Sequence, residues 1–285
     1  MRILFSFLIL WIIATIGFAQ EPTTAANCQL STIVKADGQP DEWGMLWIEG
    51  DDKKFSYNVC GDDNNLYIRM KTKDDLIRRK IGLFGFTLWM DPNGKKKRKL
   101  GLRFPTGAES EDRMASIKEK AEDINQKTMT ALQRTEFQKE VNKMLIADLE
   151  VLELIGLTDD PLTSTRSGIT NGIKVAIASD EDGAYVYEAI IPFKSYRLSK
   201  ASIAKLGIGF ETGKFIPPPV KAPSGGNPVP QGGVGGSPYG GGYRGGYGGA
   251  YGGGYGGGYG GYTGSRGSSS PMASNSSYWF TVKMK

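Results

Sequence analysis

Phe55-Ser56-Tyr57-Asn58-Val59-Cys60-Gly61-Asp62-Asp63-Asn64-Asn65-Leu66-Tyr67-Ile68-Arg69-Met70-Lys71 is the stretch that decides the fold. Apolar and polar residues alternate over 55–59 and again over 66–71, the period of a strand with one buried face. The residues between, 61–65, are turn formers, so the two runs read as an antiparallel hairpin. The same grammar repeats outward. Residues 82–90 form an apolar, aromatic-rich run, Asp91-Pro92-Asn93-Gly94 is a turn, and residues 100–104 return from it. No sustained helical period interrupts 28–104, so this third reads as β throughout. Residues 149–154, 172–178, 184–191 and 206–215 are further strands, and the acidic loop 179–183 joins the middle two. Gly207, Gly209 and Gly213 mark close packing or bulges in the last of these. The chain finishes on the alternating segment 277–285. An exposed strand of that kind is an aggregation hazard, so it is expected to pair inside the sheet.

Two segments depart from the pattern. Residues 111–146 are rich in helix formers, with Met114, Ile117, Ala121 and Ile124 at three- and four-residue spacing. The stripe resumes at Phe137, Val141, Met144 and Leu145 after a polar break at 126–130. This predicts a helical insertion, bounded at about 107–147, on the surface of the β core. More than half of the 40 glycines fall within the second segment, 217–274, where Tyr243, Tyr247, Tyr251, Tyr255 and Tyr259 recur every fourth residue. Glycine makes ordering costly and nothing there builds a core, so a disordered loop is expected, leading to a final strand at 275–285. Many short strands, no βαβ repeat and one helical interruption point to a mainly β fold, an antiparallel β-sandwich.

The N-terminus places the domain. Arg2, an apolar run over 3–18, and Gly17 and Ala19 ahead of Gln20 have the layout of a secretory signal covering 1–19. Gln20, Glu21 and Pro22 end the run too early for a retained span. The expectation is an exported sandwich domain, 20–216, in the periplasm, envelope or extracellular space, with no transmembrane span after cleavage. Among 285 residues the net charge is +5, which fits mild attraction to anionic surfaces and falls short of a nucleic-acid binder. Lys95, Lys96, Lys97, Arg98 and Lys99 hold much of it, either as a solvated hairpin tip or as a contact for an anionic polysaccharide or lipid head group. The chain has no histidine, which excludes Ser-His-Asp and Cys-His nucleophile systems and histidine-based metal sites. Its two cysteines, Cys28 and Cys60, either form a disulfide or stay as buried thiols. Closing a loop of about 30 residues is worth roughly 3 kcal/mol.

Residues 33–43, Ile-Val-Lys-Ala-Asp-Gly-Gln-Pro-Asp-Glu-Trp, resemble the I-x-x-D-G-x-x-D-E-W opening of family 9 carbohydrate-binding modules and their DOMON-like relatives. Three further matches follow in order: 62–68, like a D-x-x-x-L-Y strand entrance; 86–92, like a strand ending in an acidic turn; and Tyr187-Glu188-Ala189-Ile190-Ile191-Pro192, like a Y-E-x-x-I-P strand. The resemblance implies a β-sandwich that binds sugar between tryptophan faces, often with structural calcium nearby. It maps residue by residue onto Asp37, Gly38 and Trp43 only.

Sugar rings present apolar faces, so a flat aromatic on a sheet or loop is the physical requirement for holding them, with carboxylates and amides to read hydroxyls. Trp89 and Trp47 are the candidate platforms, with Asn58 and Glu211 as hydroxyl partners, and Trp43 is read chiefly as core. Asp37, Asp41, Asp62 and Asp63 are weak calcium candidates, and no other cofactor is expected. The function read from the sequence is non-enzymatic binding of a saccharide or glycan. The alternative is a structural or interaction protein of the envelope whose Gly/Tyr-rich loop makes the contacts.

Overall fold

The computed structural model describes residues 23–24, 26–27, 34–39, 43, 46–107, 115, 119, 129–169, 172–196, 205–216 and 270–283. The signal segment, Cys28, Asp41 and the Gly/Tyr-rich region lie outside them. In chain order the first strands are β1 (Thr23–Thr24), β2 (Ala26–Asn27), β3 (Ile48–Glu49), β4 (Ser56–Gly61) and β5 (Asn65–Thr72). Helix α1 (Asp75–Phe84) precedes β6 (Phe86–Asp91) and β7 (Leu100–Arg103), and α2 (Ala131–Leu145) precedes β8 (Val151–Ile155). Then come β9 (Leu162–Arg166), β10 (Lys174–Ser179), β11 (Tyr185–Pro192), β12 (Lys205–Thr212) and β13 (Ser277–Lys283).

Two sheets face each other. One runs β1-β13-β12-β6-β7-β8-β9, the other β10-β11-β5-β4-β2 with β3 also on β4. All pairs are antiparallel except the short parallel contacts β1–β13 and β2–β4. Alternation along each strand aims Leu88, Leu102, Leu154, Phe210 and Phe280 at Tyr57, Ile68, Tyr187 and Ala189, and these fill a single core. Tyr57 stacks on Phe280 across the layers with ring centroids 3.8 Å apart. The mainly β sandwich expected from patterning is what the chain forms, and β13 lies fully registered against β12, from Lys205↔Lys283 to Glu211↔Ser277.

Two elements differ from the sequence reading. The first third is not β throughout, because residues 75–84 are helical. Asp74 caps that helix by accepting from the Ile77 amide, and Ile77 and Ile81, four apart, are the large apolar residues of its buried face. The apolar run over 82–90 therefore spans two elements, split at Gly85, which has φ 88° and closes the helix. A strand not anticipated, β9, pairs with β8 at the sheet edge. The helical insertion is real: Ala115 and Glu119 are helical, and α2 begins just after the expected polar break, with Thr130 and Gln133 forming a reciprocal cap. Val141 and Leu145 of α2 are buried with Leu83, Phe137 and Met144 packed around them. Gly82 lets α1 approach, since a Cβ there would stand 2.7 Å from Leu145 Cβ. Cys60 is disulfide-bonded, and Cys28 is the one other cysteine in the sequence.

Candidate functional site

The four residues proposed from sequence to meet sugar divide between the two outer faces of the sandwich. Asn58 belongs to the six-stranded sheet and Trp47 lies over it against Arg69, whereas Trp89 and Glu211 belong to the seven-stranded one. They do not converge on one site.

On the six-stranded sheet, Glu188, Arg69 and Asn58 stand side by side, each registered on its neighbour. All three are buried, in contact with Asp37, Gly38, Trp43, Leu46 and Trp47. Gly38 and Asp37 donate their backbone N–H groups to Glu188 Oε2 at 2.8 and 3.2 Å. Asn58 Nδ2 donates to the Leu46 carbonyl at 2.7 Å. The Arg69 guanidinium lies 5.3 Å from the Trp43 ring centroid and 4.2 Å from that of Trp47, two cation–π contacts. Trp43 meets Tyr67 edge-on. The Asp-Gly and Trp marks of the opening motif and the Tyr-Glu mark of β11 are thus one contact set. Burial pushes the Glu188 carboxyl up to about 7, against the Gly38 and Asp37 amides and Arg69, with Asp37's charge adding to the rise. Burial pulls Arg69 down to about 10, which the Glu188 charge opposes, and it remains cationic at neutral pH. Trp47 therefore has its ring occupied by Arg69, and Asn58 holds a backbone carbonyl. These contacts join Leu46 and Trp47 to the sheet.

Two of the acidic turn residues, Asp62 and Asp37, hold hydrogen bonds of their own. Asp62 Oδ1 accepts from the Asn64 and Asn65 amides and its Oδ2 from the Tyr67 hydroxyl. Burial works against its ionisation, and these hydrogen bonds overcome it and hold its carboxyl below the ordinary range. Asp37 Oδ1 accepts from Gln39. Both act as turn caps, and among the described residues no cluster of three or more acidic or cysteine side chains gathers to hold a metal ion.

The outer face of the seven-stranded sheet is different. Register places Trp279 of β13 beside Gly209 of β12, Gly209 beside Trp89 of β6, and Trp89 beside Gly101 of β7. A Cβ at Gly209 would sit 2.5, 2.6 and 2.6 Å from Cε2, Cδ2 and Cζ2 of Trp279, so the six-membered ring lies face-on over that glycine. Trp89 leans the same way, and a Cβ at Gly101 would meet its Cζ3 at 2.8 Å. The indoles are laid like shingles, each roofing a glycine one strand over. Trp89 is the covered tile, 9% exposed, and its buried Nε1 meets no hydrogen-bond acceptor among the described residues. Trp279 is the partly exposed one. Glu211, two residues beyond Gly209 on the same face, accepts from Arg98 Nε at 2.6 Å and from Asn275 Nδ2 at 2.8 Å. Arg103 and Glu153 form a second ion pair on this face at 2.8 Å.

The loop after β6 folds back onto this face and is no free hairpin tip. Buried Asp91 organises it. Its Oδ1 accepts from the Asn93 amide and its Oδ2 from those of Lys95 and Lys97, at 3.0–3.1 Å. Burial would raise this carboxyl's pKa, but the amides of Lys97, Asn93 and Lys95 and the charge of Lys99 hold it below the ordinary range. Lys96 Nζ reaches the Trp279 carbonyl at 3.3 Å. The sequence reading passed over Trp279. The signal lay in the terminal strand, where Tyr278, Phe280 and Val282 claim the core and leave Trp279 on the other face.

Among the described residues no helix is long and apolar enough to cross a membrane. No family model matches the chain, and neither does any curated protein. Among solved structures, the chain has a distant likeness to a family 9 carbohydrate-binding module from Caldicellulosiruptor kristjanssonii in complex with glucose. The match has a TM-score of 0.29 and 9% identity and spans 67% of this chain and 75% of the other. A second structure from the same organism, in complex with cellotriose, matches with the same TM-score and 11% identity over 67% of this chain and 74% of its own.

Proposed function

We propose that the protein is exported and binds a saccharide without catalysis, on the outer face of the seven-stranded sheet, with Trp279 as the platform. The observation that carries this reading is the indole of Trp279 laid flat over Gly209, partly exposed, with Arg98, Glu211 and Asn275 beside it. A flat apolar surface bordered by fixed polar groups is what a pyranose ring requires. Glu211 and Glu153 are each tied to an arginine, an arrangement suited to orienting hydroxyls rather than shuttling protons. Trp89 borders Gly209 from the strand opposite Trp279.

The test is a glycan-array screen of the protein, followed by titration with the best sugar. Trp279→Ala is expected to lower affinity about tenfold or more, as removal of a central aromatic contact does. Gly209→Ala, which forces the indole off its seat, is expected to act in the same direction. Trp47→Phe, on the opposite sheet, is expected to leave binding unchanged. Loss of binding only on removal of 225–267 would instead favour the Gly/Tyr-rich loop as the contact surface.

A further inference from the structure

We propose that the saccharide held at Trp279 is a polyanion, carrying carboxylate or sulfate groups, and that the loop ordered by Asp91 reads its charge. This rests on the saccharide reading above and adds the substrate class. The loop has a set shape because one buried carboxylate gathers three of its amides, while the Asp91 carbonyl accepts from Gly94 at 2.9 Å. Lys95, Lys96, Lys97 and Lys99 are all exposed on it. Lys205 packs against Gly94, where a Cβ would meet its Cγ at 2.8 Å, and Lys283 is its registered partner on β13. Among the described residues, none of these six lysines takes part in an ion pair, whereas Arg98 in the same run is committed to Glu211.

The loop lysines with Lys205 and Lys283 thus form one positive patch at one end of the seven-stranded sheet. The platform lies between this patch and the Glu211 end of the strands, at Gly209↔Trp279. Lys96 reaches the backbone of Trp279 itself, so a ligand stacked on the indole lies within reach of the lysines. A neutral glycan gains only hydrogen bonds from these ammonium groups, whereas an acidic one adds charge pairing, at low cost because the loop backbone is already ordered. Charge alone would suit an anionic lipid surface or a nucleic acid as well. The adjoining flat indole and the hydroxyl-reading Arg98–Glu211–Asn275 group favour an acidic sugar.

The experiment titrates the full chain with polygalacturonate, alginate and heparin, using fully methyl-esterified polygalacturonate as the uncharged control. At least one polyanion is expected to bind about tenfold more tightly at roughly 0.05 M salt than at roughly 0.5 M, and the methyl ester to show no such dependence. Lys95→Ala/Lys97→Ala/Lys99→Ala, a surface change that leaves the core intact, is expected to remove that salt-dependent gain while leaving binding of neutral sugars unchanged. Trp279→Phe is expected to weaken both. Equal binding of neutral and acidic sugars overturns the charge assignment and leaves the saccharide reading standing, whereas no response to any sugar overturns both. Polyanion binding insensitive to Trp279, or equally tight binding of oligothymidylate or phosphatidylserine vesicles, shows a contact by charge alone and overturns the proposal.

Discussion

Glu188 and Trp279 show what a single position does here. Glu188 is buried and carries its proton to about pH 7, whereas an unfolded glutamate releases it near 4.5. Between those values the folded state binds the extra proton, so stability falls as pH rises through the window and is flat above it. The expected loss is about 3 kcal/mol. Urea midpoints measured from pH 4 to 8 are expected to follow that fall in the native chain, and Glu188→Gln is expected to remove it. Parallel profiles for the two proteins would show that Glu188 titrates normally. Neither role was fully legible beforehand. The Tyr-Glu and Asp-Gly marks were read as separate signs, and only folding reveals one capping the other across 150 positions. Trp89 was legible as an outward residue, but its burial was not, because no strand period announces an indole lying over Gly101 of the next strand.

Among elements, the strands with a clean alternation were the readable ones. The hairpins β4–β5, β6–β7 and β10–β11 and the closing strand β13 announced themselves through period two and turn chemistry. Helix α1 did not. It is ten residues long, its buried side is Ile77, Lys80, Ile81 and Gly82 with only two large apolar residues among them, and a single glycine separates Phe84 from the aromatic strand β6. Its cap at Asp74 was the signal available. The helices depend on one another through Gly82, where backbone meets Leu145. Gly82→Val is expected to separate them and lower stability by roughly 2 kcal/mol, seen as a reduced thermal midpoint. An unchanged midpoint would mean that α2 contributes nothing to the fold's stability.

At the scale of the whole molecule, the residues just after β12 and just before β13 are bonded to each other. Phe215 N donates to the Met272 carbonyl at 2.8 Å and Thr212 N to that of Ser276 at 2.9 Å. Buried Lys80 of α1 fastens the returning strand through Ser274 O and Ser276 Oγ, at 2.8 and 3.0 Å. With both ends clamped, the length between them enters stability only as loop-closure entropy, which varies slowly. Replacing 225–267 by a short Gly-Ser linker is therefore expected to shift the urea midpoint by no more than about 1 kcal/mol. A loss of several kcal/mol would show that the segment itself packs on the domain. The low-complexity composition of 217–274 was plain in the sequence, but this clamp was not, since it is built from backbone groups and a lysine that carries no pattern. It also makes the protein naturally divisible. Severed anywhere between the clamps, the polypeptide becomes two fragments whose shorter member supplies both a core strand and the proposed sugar platform, so recovery of ligand capture on mixing them would report reassembly directly.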